Sequence, residues 1–363
     1  MIRVVFVSSL VYNYFCPGKV RQAGGQTPIY NLSRSFASKK EYEVFCLVGN
    51  FGQPDRVVLE NVTLVKSQVD NPLAVFQVIR TLNLLKPDII LDFCASPRLF
   101  IYACIKRFLS TKTVFLTGSD IDVNGDYKKI ENPVYDFFYR IGLKQTDAII
   151  AQVPLHVKLL KEKLGLKSYL ILSPYLEIQR SGAMVKDSIL WVGRAAFYKR
   201  PELFVRLVLD HPEEKFIMIC NDSPYDNGFM DNIKKKLSAL QNIEFHDYVA
   251  YPEMAYYYSR AKLLVNTSDF EGFPNTFIEA AVKQCPVLSL NSDPNQMLSV
   301  HGGGQFCNGD FEAMRRCLKL LLNDKNKLRN LGKRNFDYAL RFHRIDSAVS
   351  QLDKIFKQTL WRN

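Results

Sequence analysis

The residues best placed for chemistry follow an apolar run at 262–266 (KLLVN). From Asn266 to Ala280 the chain reads NTSDFEGFPNTFIEA. The apolar run predicts a strand, EGFP a loop, and the residues from about Asn275 a helix. Pro274 suits the first turn of that helix, where a missing N–H costs nothing, and Asn275 or Thr276 is the expected cap. The first N–H groups of a helix lack intrahelical partners and, with the helix dipole, make an anion site. Glu271 in the loop and Glu279, eight residues further on, flank this site. Two carboxylates around an N–H cluster can hold polyol hydroxyls on either side of a phosphate. The plain alternative is a turn residue and a solvated helix face.

A second loop has the same build. Residues 189–193 (ILWVG) predict a strand, and Arg194-Ala-Ala-Phe-Tyr-Lys199-Arg200-Pro201 leads into a helix. Arg194 offers a planar fork to phosphate and Lys199 a point charge. Arg200 is expected nearer to solvent. Without further context the same loop reads as solvated basic surface. Near the N-terminus Gly24 and Gly25 allow a ligand close to the backbone, although a Gly pair also marks an ordinary turn. Tyr12, Tyr14, Phe15, Lys19 and Arg21 on the same loop are candidates for an acceptor, or for ordinary loop packing. After an apolar run at 113–116, Gly118-Ser119-Asp120-Ile121-Asp122 places two carboxylates close together. Asp120 is a candidate for contact with a sugar or an acceptor hydroxyl, or a helix cap.

Other runs place these loops. Strands are predicted at 2–8, 43–48, 88–92, 113–116, 147–151, 189–193, 216–220, 262–266 and 287–290. Helices are predicted at 26–38, 72–86, 97–109 and 133–144. Near-continuous apolar strands alternating with helices imply parallel sheets covered on both faces. Such sheets bind ligands beyond the carboxyl ends of their strands. Residues 173–188 carry Pro, Gly and Ser without a period and read as a linker. The expected fold class is α/β with two doubly wound domains, 1–175 and 176–342. A closing helix at 343–363 is expected to pack back towards the first domain. At 363 residues the chain is long enough for both. There is no G-x-G-x-x-G fingerprint and no P-loop.

Eight scattered cysteines form no C-x-x-C pair, which reads as reduced thiols without a zinc site. The apolar run at the N-terminus is too short for a signal peptide, and no stretch reaches the length of a spanning helix. A cytoplasmic protein is therefore expected. Its net charge is +12, which favours an anionic partner. Residues 1–175 hold 22 basic and 14 acidic side chains, against 26 and 22 in the remainder. The excess thus lies on the first half. Segments 97–112 and 133–144 mix aromatics with Lys and Arg, which suits either a helix at an anionic bilayer or a packed helix with a charged outer face. No nucleic-acid motif is present, so nucleic acid is not expected as a partner.

The string EGFPNTFIEA resembles the E-x7-E motif of retaining glycosyltransferases of the GT-B fold, the glycosyl transferases group 1. The stretch from Gly193 and Arg194 to Pro201 is similar to the same family's basic loop. The resemblance spans nearly the whole chain, with its specific motifs at 190–202 and 266–280. It implies two facing Rossmann-like domains with a cleft, a nucleotide diphosphate sugar (UDP or GDP) as sugar donor, and no cofactor and no metal. Arg194 and Lys199 would clamp the diphosphate and Glu279 would hold the ribose hydroxyls. Glu271, with Gly272, Phe273, Pro274, Asn275 and Thr276, would hold the sugar, and Gly24-Gly25 would lie over the phosphates. The implied acceptor is a hydroxyl of a lipid-linked or surface polysaccharide intermediate, such as a lipopolysaccharide precursor. Many relatives carry a histidine near Asp120, and this chain has Gly-Ser-Asp there. Asp120-Ile-Asp122 also spells the manganese motif of the GT-A fold, which the tandem α/β layout disfavours. The same shape also admits a nucleotide-sugar 2-epimerase, a phosphorylase, or a non-catalytic module binding nucleotide sugar or membrane.

Overall fold

The structure is a computed structural model that describes residues 1–17, 24–67, 75–125, 127–129, 132–175, 184–221 and 228–361. Lys19, Arg21 and residues 176–183 of the expected linker lie outside the described residues. The chain divides into unit 1, Met1–Leu176 with His343–Asn363, and unit 2, Glu177–Phe342.

Unit 1 is built on β1 (Ile2–Val7), β2 (Tyr42–Val48), β3 (Arg56–Leu59), β4 (Val62–Lys66), β5 (Ile89–Phe93), β6 (Lys112–Leu116), β7 (Ala148–Ala151) and β8 (Tyr169–Leu170). Their order is β3-β4-β2-β1-β5-β6-β7-β8. The pairs are parallel except β3 with β4. Strands such as IILDF are buried along their whole length because helices cover both faces. The first helices are α1 (Tyr12–Phe15), α2 (Thr27–Ala37), α3 (Val75–Leu85), α4 (Arg98–Leu109), α5 (Pro133–Gln145) and α6 (Pro154–Leu164). The β3–β4 hairpin turns on Glu60 and Asn61, both at positive φ, the backbone of a two-residue hairpin.

Unit 2 has β9 (Ser188–Arg194), β10 (Lys215–Asn221), β11 (Ile243–His246), β12 (Ala261–Asn266), β13 (Val287–Ser289) and β14 (Gly304–Phe306). All pairs are parallel, in the order β11-β10-β9-β12-β13-β14. Its helices are α7 (Pro201–Asp210), α8 (Phe229–Leu237), α9 (Tyr251–Arg260), α10 (Asn275–Val282), α11 (Phe311–Leu322) and α12 (Lys325–Phe342). Trp191, Phe204 and Phe216 pack against one another in its core, Phe204 edge-on to Phe216. The last helix, α13 (Ile345–Trp361), belongs to unit 1. Phe356 packs on Phe36 of α2, and the Tyr42 hydroxyl donates to Asp353.

Three of the candidate loops leave the carboxyl end of a strand: β6 in unit 1, β9 and β12 in unit 2. Because β9 and β12 are neighbours, with Leu190 opposite Leu264, two loops far apart in sequence rise side by side.

Candidate active site

The loops after β9 and β12 are fastened to each other by buried polar groups. The Trp191 indole donates to Thr267 Oγ1 at 2.9 Å, and Thr267 Oγ1 donates to the Lys199 carbonyl at 2.7 Å. The Asp269 N–H donates to the Tyr198 carbonyl at 2.8 Å. Above these ties Lys199 Nζ meets Glu271 Oε1 at 2.5 Å, with the side chains 17% and 11% exposed. The same Glu271 oxygen accepts from Ser268 Oγ at 2.7 Å and Asn266 Nδ2 at 3.2 Å. Lys199 carries three donors, so it can hold Glu271 and still offer N–H to an anion. Arg194 ends β9, is exposed, and donates from Nη2 to the Tyr198 hydroxyl at 3.1 Å. Tyr198 stacks on Phe270 with ring centroids 4.9 Å apart. These contacts bring Arg194, Lys199 and Glu271 into one cluster.

Arg200 is turned to Glu202 at 2.6 Å and Asp269 at 3.0 Å. Its backbone at φ 50° starts α7, with Pro201 in the first turn. Arg200 is therefore tied to α7 and to the loop after β12 while keeping a third of its side chain exposed.

Helix α10 begins at Asn275 as expected, but its cap lies before both candidate caps. Pro274, with φ −68° and ψ 117°, is the N-cap, while Asn275 is the first helical residue. Proline has no side-chain acceptor, so no side chain caps the first N–H groups from that position. Glu279, expected in its plainer reading on a solvated face, is buried in the second turn at 7% exposure. Burial pushes its carboxyl up to about 7, opposed by a hydrogen bond from Tyr258 of α9. Gly272 and Phe273 lie in the half-buried loop between Glu271 and the helix.

In unit 1, Gly24 and Gly25 form a short 3-10 turn before α2. A Cβ on Gly25 would meet nothing within 4 Å, so packing in the chain does not demand glycine there. Tyr12, Tyr14 and Phe15 are buried in α1. Tyr12 stacks on Phe51, and the Tyr14 hydroxyl bonds Thr27 at 3.1 Å. These three pack within the fold, the plainer of their two readings.

The loop after β6 is locked by Asp122. Its carboxylate accepts from the N–H groups of Gly118 at 2.5 Å, Ser119 at 3.0 Å and Ala95 at 3.1 Å. Ser119 and Asp122 form a capping box. Burial raises the Asp122 pKa. Asp122 thus spends its oxygens on backbone, unlike the metal ligand of a D-x-D motif. Asp120 is not the cap: its Oδ1 faces Nε2 of His156 on α6 at 3.0 Å. His156 escaped sequence reasoning because it lies 36 residues away. It is one of only five histidines and stands in the first turn of the helix after β7, which was the available signal.

Helices α4 and α5 pack through Gly142, where a Cβ would come within 2.3 Å of the Phe100 backbone. Tyr102, Ile105, Tyr139 and Leu143 are core, while Phe108 and Phe137 are 88% and 60% exposed. No helix among the described residues is long and apolar enough to cross a membrane.

Comparison with known proteins agrees with this architecture. Sucrose-phosphate synthase from Thermosynechococcus elongatus superposes with a TM-score of 0.80 at 14% identity, covering 99% of each chain. Anabaena HepE, solved in complex with UDP and glucose, gives 0.74 at 12% identity over 99% of this chain and 100% of that one. The chain therefore has the GT-B fold of two parallel-sheet α/β domains. Residues 186–324, the segment that carries both loops of unit 2, match the model of the Glycosyl transferases group 1 family. Among curated proteins it is similar to the 2-deoxystreptamine N-acetyl-D-glucosaminyltransferase of Niallia circulans, 25% identical over 164 residues. That match spans 43% of this chain and 42% of the relative, about two fifths of its length.

Proposed function

We propose that the chain is a retaining, metal-independent glycosyltransferase. It moves a sugar from a nucleotide diphosphate sugar to a hydroxyl of a lipid-linked or surface glycan intermediate. The Lys199–Glu271 couple beside the start of α10 carries the reading. Lys199, Arg194 and the α10 amides would neutralise the leaving diphosphate, which is electrostatic catalysis by fixed groups. Glu271 would orient the sugar and Glu279 would accept the ribose hydroxyls. Asp120 of unit 1 would receive the acceptor hydroxyl. The UDP bound to HepE favours UDP over GDP as the carrier. The exposed Phe108 and Phe137 among basic residues favour an acceptor presented at an anionic membrane, at the cytoplasmic face.

The test is a thermal-shift panel of UDP, GDP, ADP and their sugars, followed by transfer assays. A ligand at 100 times its Kd adds about 2.7 kcal/mol, so the true base stands out. Product with the anomeric configuration of the sugar donor, formed equally with and without EDTA, is the expected outcome. Inverted product, or loss on chelation restored by manganese, overturns those parts of the reading. Conversion of sugar donor without acceptor would instead indicate an epimerase.

A further inference from the structure

We propose that His156 is a positioning residue: it holds Asp120, at the carboxyl end of β6, in the orientation that accepts a hydrogen bond from the acceptor hydroxyl. The inference rests on the sugar-transfer reading above. His156 is fully buried, while the Asp120 side chain keeps 30% exposure. An ionised carboxylate only accepts hydrogen bonds, so Nε2 must carry the proton that Oδ1 receives. The other ring nitrogen, Nδ1, lies 2.7 Å from the Thr117 hydroxyl. That hydroxyl accepts from the Gln152 N–H at 3.2 Å, which leaves its own proton to donate to Nδ1. Thr117 is itself immobile: its N–H bonds the Ile150 carbonyl and its carbonyl accepts from the Gln152 side chain. A buried chain of hydrogen bonds thus runs from β7 through Thr117 and His156 to a single half-exposed carboxylate.

The loop does not need this chain to hold its shape. Asp122, the Ser119 capping box and the Tyr139 hydroxyl on the Asp122 carbonyl at 2.7 Å already fix it. A Cβ at Gly118 would sit 2.2 Å from Cys94 Sγ, so the backbone there is pressed against β5's end. What the imidazole adds is the direction of one side chain. It takes Oδ1 and leaves Oδ2 for a ligand, at the strand end where sheets of this class bind ligands.

The experiment compares His156→Asn with His156→Gln in the full chain. The Asn oxygen can still take the Thr117 proton, but its amide does not reach Asp120. The Gln amide N–H does. With saturating sugar donor and varied acceptor, His156→Asn should lower kcat/KM for acceptor by up to about a hundredfold, the effect of misplacing a reacting group by about 1 Å. His156→Gln should recover most of it, and sugar-donor affinity should stay unchanged in both. Asp120→Asn/His156→Asn should be no worse than Asp120→Asn alone, since coupled groups are not additive. Independent, multiplying losses, or equal activity of the Asn and Gln variants, overturn the proposal. Should the Asn variant not fold, Asp120→Ala at the half-exposed position decides: unchanged acceptor kinetics overturn it. A wild-type chain that binds no nucleotide sugar defeats the sugar-transfer reading, whereas wild-type transfer indifferent to these substitutions defeats the positioning role alone.

Discussion

The candidate groups of unit 2 and unit 1 are held by opposite means. In unit 2 a cation and a carboxylate, Lys199 and Glu271, neutralise each other across two neighbouring loops. In unit 1 the carboxylate of Asp120 leans on a buried imidazole, and among the described residues no Lys or Arg lies at salt-bridge distance from it. A site for a dianionic diphosphate needs positive charge, and half-buried positive charge is tolerable only when paired. A site for a hydroxyl needs only a directed acceptor. The contrast supports the proposed division, with sugar-donor chemistry in unit 2 and acceptor chemistry in unit 1.

The largest expected effect breaks the ion pair. Lys199→Ala should cut kcat/KM by about 10²–10³, the loss typical of one fixed electrostatic donor. It should also lower stability by roughly 3 kcal/mol, because Glu271 is left half-buried without its partner. Lys199→Ala/Glu271→Ala should regain much of the Tm and none of the activity. Calorimetry and steady-state kinetics on the three proteins check this. A Tm loss with intact turnover would make the pair a structural brace.

That pair also marks how far the sequence could be read. The strings around Lys199 and Glu271 sit at strand ends, and local pattern placed both. The hydrogen bonds that join their loops depend on β9 lying beside β12, a property of sheet order that no local pattern carries. Asp120 was legible and its partner was not, for the same reason. Several strands were missed because they lack apolar runs: β11 is IEFH, β14 is GQF, and β8 has two residues. The β3–β4 hairpin hid because Glu60 is an unusual residue for a positive-φ turn position. Helix α10 started at its expected residue, yet its cap was misassigned, since Pro274 is compatible with either position.

Glu279 gives the next effect, through pH. Its folded pKa of about 7 stands above the ordinary 4.5, so the folded state prefers the protonated acid. The stability this confers is fully present below pH 4.5 and is lost as pH rises to about 7. At 1.36 kcal/mol per unit the loss is about 3 kcal/mol. Glu279→Gln should flatten that part of the stability profile. Ribose hydroxyls donate to the ionised form, so nucleotide affinity should weaken by up to about tenfold per pH unit below 7. Titration calorimetry in the wild type and Glu279→Gln measures both. Affinity independent of pH would remove Glu279 from the sugar-donor site.

Arg194 should act more weakly. It is exposed and donates to the Tyr198 hydroxyl, so Arg194→Ala should leave Tm unchanged. Its contribution to the diphosphate is made against solvent, and a loss of about tenfold in kcat/KM is expected, one charge-assisted hydrogen bond at an exposed site. An effect confined to acceptor KM would place Arg194 outside the sugar-donor site and blur the contrast between the units.

The smallest effect concerns where unit 1 meets its acceptor. Phe108 and Phe137 stand out from α4 and α5 at 88% and 60% exposure, so their removal creates no cavity. Inserting both rings partway into a bilayer interface is worth about tenfold in binding, given a fraction of the transfer energy of a buried Phe. Phe108→Ser/Phe137→Ser should therefore weaken sedimentation with phosphatidylglycerol vesicles by about that factor. It should leave Tm and turnover on a soluble acceptor untouched, because Gly142 and the core residues beneath hold the two helices together. Unchanged vesicle binding would mean that the acceptor reaches Asp120 from solution, and that the aromatic face of α4 and α5 has no part in the division between the units.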